Sequence, residues 1–147
     1  MDFRREVLTP DLAKELLGLL SLHYAEVGIA VRKEVDPDWK YYSRLEEGGV
    51  LRVFTSRDPQ GLLIGYESLI VTSNPHYKDF KQACSDALFI HPDRRGFGRV
   101  FMQWIDSQLK LEGVEVVFRA VTEKCRFEKI LQTMGYSKVS TEYMRIL

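Results

Sequence analysis

The chain has 147 residues, 45% hydrophobic and 29% charged, and its 21 basic residues are balanced by 21 acidic ones. That length and balance describe one globular domain with room for a real core. Zero net charge argues against a general nucleic-acid or polyanion binder, whose affinity rests on net positive surface, while leaving room for a local basic patch.

No apolar run reaches the ~18 residues of a membrane span. Met1-Asp2-Phe3-Arg4-Arg5 does not lead into an apolar region as a secretory leader does. Cys84 and Cys125 stand far apart and His23, His76 and His91 are scattered, so no metal-ligand spacing is present. Free thiols fit a reducing compartment. The expectation is a cytoplasmic protein (host cytoplasm if viral) with no membrane, nucleic-acid or metal partner.

Residues 2–8 form a first strand through Phe3, Val7 and Leu8. Thr9-Pro10-Asp11 starts a helix, with Thr9 as N-cap and Pro10 at the first helical position. Leu12, Leu16, Leu19, Leu20, His23, Tyr24 and Val27 then recur at helical spacing, and Gly28 stops the helix. His23 beside that stripe reads as a packing or rim histidine. After a loop over 29–36, Asp36-Pro37-Asp38 starts a second helix that Gly48-Gly49 ends. Its Trp39, Tyr41 and Tyr42 either wall a substrate site or pack the helix on a sheet.

Residues 50–56 and 62–72 form a hairpin about the turn Asp58-Pro59-Gln60-Gly61. Strict alternation puts Leu63, Gly65, Glu67, Leu69 and Val71 on one face of the second arm, and Ile64, Tyr66, Ser68 and Ile70 on the other. Both faces are largely apolar, so this strand is central and covered on both sides. A carboxylate there, Glu67, needs a partner, a wet cleft or a raised pKa. A polar connection containing His76-Tyr77-Lys78-Asp79 leads to a strand over 83–91. On that strand alternation groups Asp86 with Leu88 and Ile90, and Ala87 with Phe89 and His91.

The strand runs into a basic Gly-rich turn, Arg94-Arg95-Gly96-Phe97-Gly98-Arg99-Val100, and an amphipathic helix with Val100, Phe101, Trp104, Ile105 and Leu109 on its apolar face. Unpaired first-turn amides and the helix dipole make such a turn an anion site, and Gly96 and Gly98 let a phosphate approach the backbone. The same residues also suit a plain strand-to-helix connection with a solvated basic rim. Gly113 ends the helix, and residues 114–121 form a strand parallel to the preceding one. Thr122 is placed as N-cap of a last helix carrying Phe127, Ile130, Leu131 and Met134, with Gly135 after it. Residues 136–139 and 141–147 read as two closing strands. The whole is α/β with a mixed sheet.

Ile90-His91-Pro92-Asp93 followed by Arg95-Gly96-Phe97-Gly98-Arg99-Val100 resembles the acetyl-CoA motif of the GNAT N-acetyltransferase superfamily. Arg95 matches the motif's first Arg and Gly98 its central Gly; Val100 departs from its last small residue. Gly135-Tyr136 is similar to the Gly-Phe/Tyr after the family's last helix, and the element order matches over essentially the whole chain. The segment His76-Tyr77-Lys78-Asp79 is similar to small stand-alone members from phages and prophages.

The resemblance implies a single GNAT-like domain over 1–147: a mixed, mostly antiparallel sheet, a central splayed parallel strand pair and about four helices. It implies acetyl-CoA as cosubstrate and an amine acceptor, small molecule or protein, with a homodimer left open. The turn amides from Gly96 to Val100, with Arg94, Arg95 and Arg99, would hold the pyrophosphate, and the backbone of Leu88, Phe89 and Ile90 the pantetheine arm. Asp86 matches a position that is often acidic in the family and is first choice as base or ammonium anchor, with Glu67 second. The Tyr that protonates the leaving thiolate in many members corresponds to Leu131, which leaves Tyr143, Tyr77, His76 or water for that task. An acyl-cysteine route is disfavoured because neither cysteine has a nucleophile–base pattern around it. A catalytically degenerate GNAT fold that binds CoA or a protein is the alternative. An unrelated nucleotide binder is disfavoured, because the Gly-Lys-Ser/Thr of a phosphate-binding loop is missing.

Overall fold

A computed structural model describes residues 1–27, 34–125 and 127–147. The expected helix stop at Gly28 and the loop positions 29–33 lie outside the described residues. The element order is β1 (Asp2–Glu6), α1 (Pro10–Val27), α2 (Trp39–Glu47), β2 (Leu51–Arg57), β3 (Leu63–Ser73), β4 (Lys81–Ile90), a 3₁₀ turn (Pro92–Arg94), α3 (Gly98–Leu111), β5 (Val116–Phe118) and α4 (Glu128–Thr133).

Local chemistry sets most of these boundaries. The Leu12 amide donates to Thr9 Oγ1 at 3.2 Å, so that cap works as expected, whereas the second helix starts two residues later than Asp36-Pro37-Asp38 suggests, capped by Asp38, whose Oδ1 accepts from the Tyr41 amide at 2.9 Å. Asp58 Oδ1 accepts from the Gln60 and Leu62 amides, each at 3.0 Å, which locks the hairpin turn between β2 and β3.

The strands lie in the order β1-β2-β3-β4-β5, antiparallel throughout except for the parallel pair β4–β5. One face carries α3: Phe101, Ile105 and Leu109 are each 0% exposed and pack with Phe54, Ile64, Leu69 and Val71. Each such side chain contributes about 1.5–3 kcal/mol by leaving water. The other face carries α1 and α2, where Leu12, Leu16 and Leu19 pack against Leu51, Val53, Leu63, Tyr66 and Phe89. As expected, β3 is buried along most of its length and covered on both faces.

Two bulges break the strict alternation. Ser56 pairs with Gly65 but Arg57 with Leu63, so Ile64 is an extra residue. Parity shifts there: Ile64 joins Leu69 and Val71 on the α3 face, and Leu63 joins Tyr66 on the other. In β4, Ser68 pairs with Ala87 but Leu69 with Ser85, so Asp86 is the extra residue. Asp86 therefore leaves the face of Leu88 and Ile90, against the alternation, and reaches Tyr42 and Ser68 on the α1–α2 side.

Further departures come from long-range packing. Val100 is 57% exposed, and Met102 takes its place in the core. Thr122 does not cap the last helix, which starts at Glu128 after Phe127; its hydroxyl is buried without a hydrogen-bond partner among the described residues. Strand β5 is only three residues, and residues 136–147 are in no strand. The parallel pair thus stands at the sheet edge among the described residues. Apolar alternation in that tail is not matched by burial: Tyr143 is 94% exposed and Ile146 71%, and strand propensity acts only through packing against a neighbour.

Candidate active site

The parallel pair sets up the site. β4 and β5 pair only at Gln82–Val116, Ala83–Val117 and Cys84–Phe118, while β4 runs on to Ile90. Beyond Cys84 the two chains part. The His91 amide donates to the Ile64 carbonyl at 2.8 Å, so His91 faces β3. Strand periodicity then turns the amides and carbonyls of Leu88 and Ile90 to the open edge.

A buried ion network holds the divergence. Arg119, next after the last paired residue, reaches across β4 to Glu67 on β3. Its Nε and Nη2 donate to the two carboxylate oxygens, both at 2.9 Å, and the side chains are 1% and 0% exposed. Its Nη1 donates to Asp106 Oδ1 on α3 at 2.7 Å and contacts the Tyr136 hydroxyl, which also reaches Asp106. Burial pulls the Arg119 pKa down, but Glu67 and then Asp106 more than reverse this, so the guanidinium stays charged. Glu67 has both oxygens occupied.

At the far end of β4 the 3₁₀ turn leads to Gly96, with φ of +118°, a conformation that L side chains avoid. Gly98 packs on β4: a Cβ there would stand 3.1 Å from Ile90 Cδ1. The first bond at the start of α3 is from the Phe101 amide to the Phe97 carbonyl at 3.0 Å. Among the described residues the amides of Gly98, Arg99 and Val100 have no backbone partner, and Phe97 is buried as the plug beneath them. Arg95 pairs with Glu26 at the end of α1, and Arg94 Nη2 lies 3.8 Å from Asp58. Arg99 is exposed, with no ion-pair partner among the described residues.

On the α1–α2 face a narrow cleft opens beside Asp86, walled by Leu16, Leu20, Trp39, Tyr42 and Tyr66. The Tyr42 hydroxyl donates to Asp86 Oδ2 at 2.8 Å and the Ser68 hydroxyl to the same oxygen at 3.0 Å. Among the described residues Asp86 Oδ1 has no partner, and Asp86 is exposed to solvent. Burial, then the adjacent Asp86 charge, pushes the Tyr42 phenol well above its ordinary range, so it remains a donor. Burial also pushes His23 down, against smaller opposing pulls from Glu26 and Asp86. Neutral His23 stacks on Phe89, with ring centroids 4.9 Å apart, and its Nδ1 lies 2.9 Å from the Tyr66 hydroxyl.

Asp86, the open edge of Leu88–Ile90 and the loop 96–100 follow one another along β4 and out of its C-terminal end. The structure places Glu67 in an ion pair on the opposite face. His76 lies before β4, at the other end of that strand from the loop, and Tyr143 and Tyr77 are 94% and 65% exposed. No side-chain hydrogen bond joins these three to Asp86 among the described residues. Leu131 is a core residue, 6% exposed. Burial raises the Cys84 thiol pKa, which leaves it protonated and a poor nucleophile. Trp39 and Tyr42 wall the cleft, whereas Tyr41 is 52% exposed outside it. Ser68 was missed; its only trace in the sequence is a hydroxyl on an otherwise apolar strand. No helix among the described residues is long and apolar enough to cross a membrane.

No family model matches the chain, and no curated protein matches it by sequence. Solved structures do. A tetramutant of the BH1408 protein from Bacillus halodurans superposes with a TM-score of 0.79 at 18% identity, covering 100% of both chains. The ribosomal-protein-alanine N-acetyltransferase of Brucella melitensis biovar Abortus 2308 gives 0.72 at 16% identity, again over 100% of both. A predicted acetyltransferase from Clostridium acetobutylicum, solved with acetyl-CoA, gives 0.73 at 12% identity over 99% of this chain and 95% of that one. The fold is that of the GNAT acetyltransferases, a single α/β domain with a mixed sheet and a parallel β4–β5 pair.

Proposed function

We propose that this protein is an acetyl-CoA-dependent N-acetyltransferase that moves an acetyl group directly to an amine. The observation that carries the reading is Asp86 Oδ1: a carboxylate oxygen without a partner among the described residues, in a cleft beside the open edge of β4.

The residues present fit acetyl-CoA. Unpaired amides at 98–100 and exposed Arg99 suit a pyrophosphate, and the Gly96 backbone leaves the approach clear. The open amides of Leu88 and Ile90 and the Leu88 carbonyl suit the pantetheine arm, while the Ile90 carbonyl accepts from Arg95 Nε at 3.5 Å. When bound, acetyl-CoA supplies the thioester that the amine attacks. The protein's own part is to orient and to move a proton. Tyr42 and Ser68 hold the Asp86 carboxylate through Oδ2 and leave Oδ1 to take the ammonium proton. An amide on the open β4 edge is an oxyanion donor. The apolar walls of the cleft limit water. Glu67 is assigned to the ion pair with Arg119, where it fixes the divergence of β4 and β5.

A catalytically inactive CoA-binding protein is the competing reading, favoured by one observation: Leu131, buried in the core, occupies the position of the family's proton-donating Tyr. Acetyl-CoA titration followed by an amine screen separates the two. The expected result is a raised Tm with acetyl-CoA, through binding to the native state, and CoA thiol release with an amine. In Gly98→Glu the new side chain starts 3.1 Å from Ile90 Cδ1, forces the turn off β4, and the thermal shift disappears. No shift at saturating acetyl-CoA refutes both readings; a shift without turnover refutes the first.

A further inference from the structure

Among the described residues the sheet has two edges, and they differ in chemistry. β1 forms one edge with Asp2, Arg4, Arg5 and Glu6, which leaves Phe3 as its only apolar residue. Charges on an edge strand keep other strands from pairing with it. β5, Val116-Val117-Phe118, forms the other edge and carries no charge. Its backbone is open there. The Glu115 amide donates to the Lys81 carbonyl at 2.9 Å, so alternation gives Val117 to β4 and turns the N–H and C=O of Val116 and Phe118 outward. No strand lies beside them among the described residues, and Phe118 is exposed.

The strand that such an edge lacks is present in the same chain. Residues 137–147 are in no strand and lie in solvent. Yet Val139, Thr141, Tyr143 and Ile146 give them the composition of a strand, and Met144 adds a further exposed apolar side chain. The start of this tail is fixed near β5: the Tyr136 hydroxyl donates to Asp106 Oδ2 at 3.0 Å, and Asp106 also accepts from Arg119, the residue after β5. From that anchor an extended tail spans at most about 35–40 Å, enough to reach the edge of an adjacent molecule.

We propose that the tail is the missing edge strand of a second copy. Residues 139–146 of one molecule pair with Val116–Phe118 of another, and the exchange is reciprocal. Both halves of the contact belong to this chain, so one two-fold axis satisfies both edges at once and the assembly closes at two copies. The exposed apolar side chains of two tails, with the backbone and edge they cover, bury on the order of 1,500 Å², the size of a stable interface. The pairing uses the side of β5 away from β4 and Asp86, and it does not depend on the transferase reading.

The test is sedimentation and light scattering of the full chain over a dilution series, with hydrogen exchange read at Val116 and Phe118. The expected species is a dimer whose Tm rises with protein concentration and whose Phe118 amide is protected. Tyr143 and Ile146 are exposed in the single copy, so Tyr143→Asp/Ile146→Asp leaves the fold intact. It weakens the dimer at least about 100-fold, because two buried apolar side chains are lost from each junction. The monomer it leaves exchanges the Phe118 amide fast. Val116→Pro removes an outward N–H without touching the bonds to β4, and weakens the dimer from the edge side. A monomer at every concentration overturns the proposal, and one with a protected Phe118 amide places the tail on its own β5 instead. A dimer that survives the tail substitutions overturns it as well.

Discussion

Replacing Glu67 by Gln removes one charge from the most deeply buried ion pair among the described residues. Glu67 is 0% exposed and Arg119 1%, and two bonds of 2.9 Å join them. Breaking a buried pair costs about 3–5 kcal/mol, most of it the penalty of leaving a partner uncompensated. Glu67→Gln belongs at the lower end, because Asp106, at 2.7 Å, still balances the guanidinium. Arg119→Met belongs at the upper end, since it strands an anion in the core. For a domain of this size 1 kcal/mol moves Tm by about 2–4 °C. The expected drops are thus about 6–12 °C for Glu67→Gln and 10–20 °C for Arg119→Met, out of a total stability of about 5–15 kcal/mol. The double variant Glu67→Met/Arg119→Met recovers much of the loss, because neither charge is then left alone. Thermal and urea unfolding measure this directly. The same samples test the role of Glu67 in chemistry: Glu67→Gln keeps its turnover at temperatures where it is folded. A Tm change under ~2 °C, or a folded Glu67→Gln protein without activity, refutes the structural assignment.

Two further outcomes follow from the site. Asp86→Asn keeps an oxygen for Tyr42 and Ser68 but removes the base; kcat is expected to fall about 10²–10⁴-fold, with stability within ~0.5 kcal/mol of wild type because the residue is exposed. Unchanged turnover across the pH range removes Asp86 from the mechanism. His23 titrates lower when folded than when unfolded, chiefly through burial, so the unfolded chain takes up the proton first. Its contribution to stability is whole above the unfolded pKa of about 6.5 and is lost as pH falls from there through the folded value. Tm recorded between pH 8 and 5 should fall less steeply for His23→Gln than for the wild-type protein; parallel curves contradict the assignment.

What the sequence determined by itself is the local chemistry. Thr9 caps its helix, Asp58 and Gly61 turn the hairpin, and Gly113 and Gly135 follow helix ends with φ of +81° and +90°, because these features depend on a few neighbouring atoms. The tight turn through Gly96 and the start of the helix at Gly98 were legible for the same reason: a turn before a helix N-terminus demands particular residues in a short span. The tertiary structure decided the rest. Whether a carboxylate is a base or a brace is not written near it in the chain. Glu67 found Arg119, 52 positions away, and was spent on it. Asp86 was turned to the cleft by a bulge, a one-residue slip between two strands that no single strand's alternation reveals. The loop that the sequence marks carries the proposed anion site, and the slip at Asp86 leaves a carboxylate oxygen without a partner among the described residues.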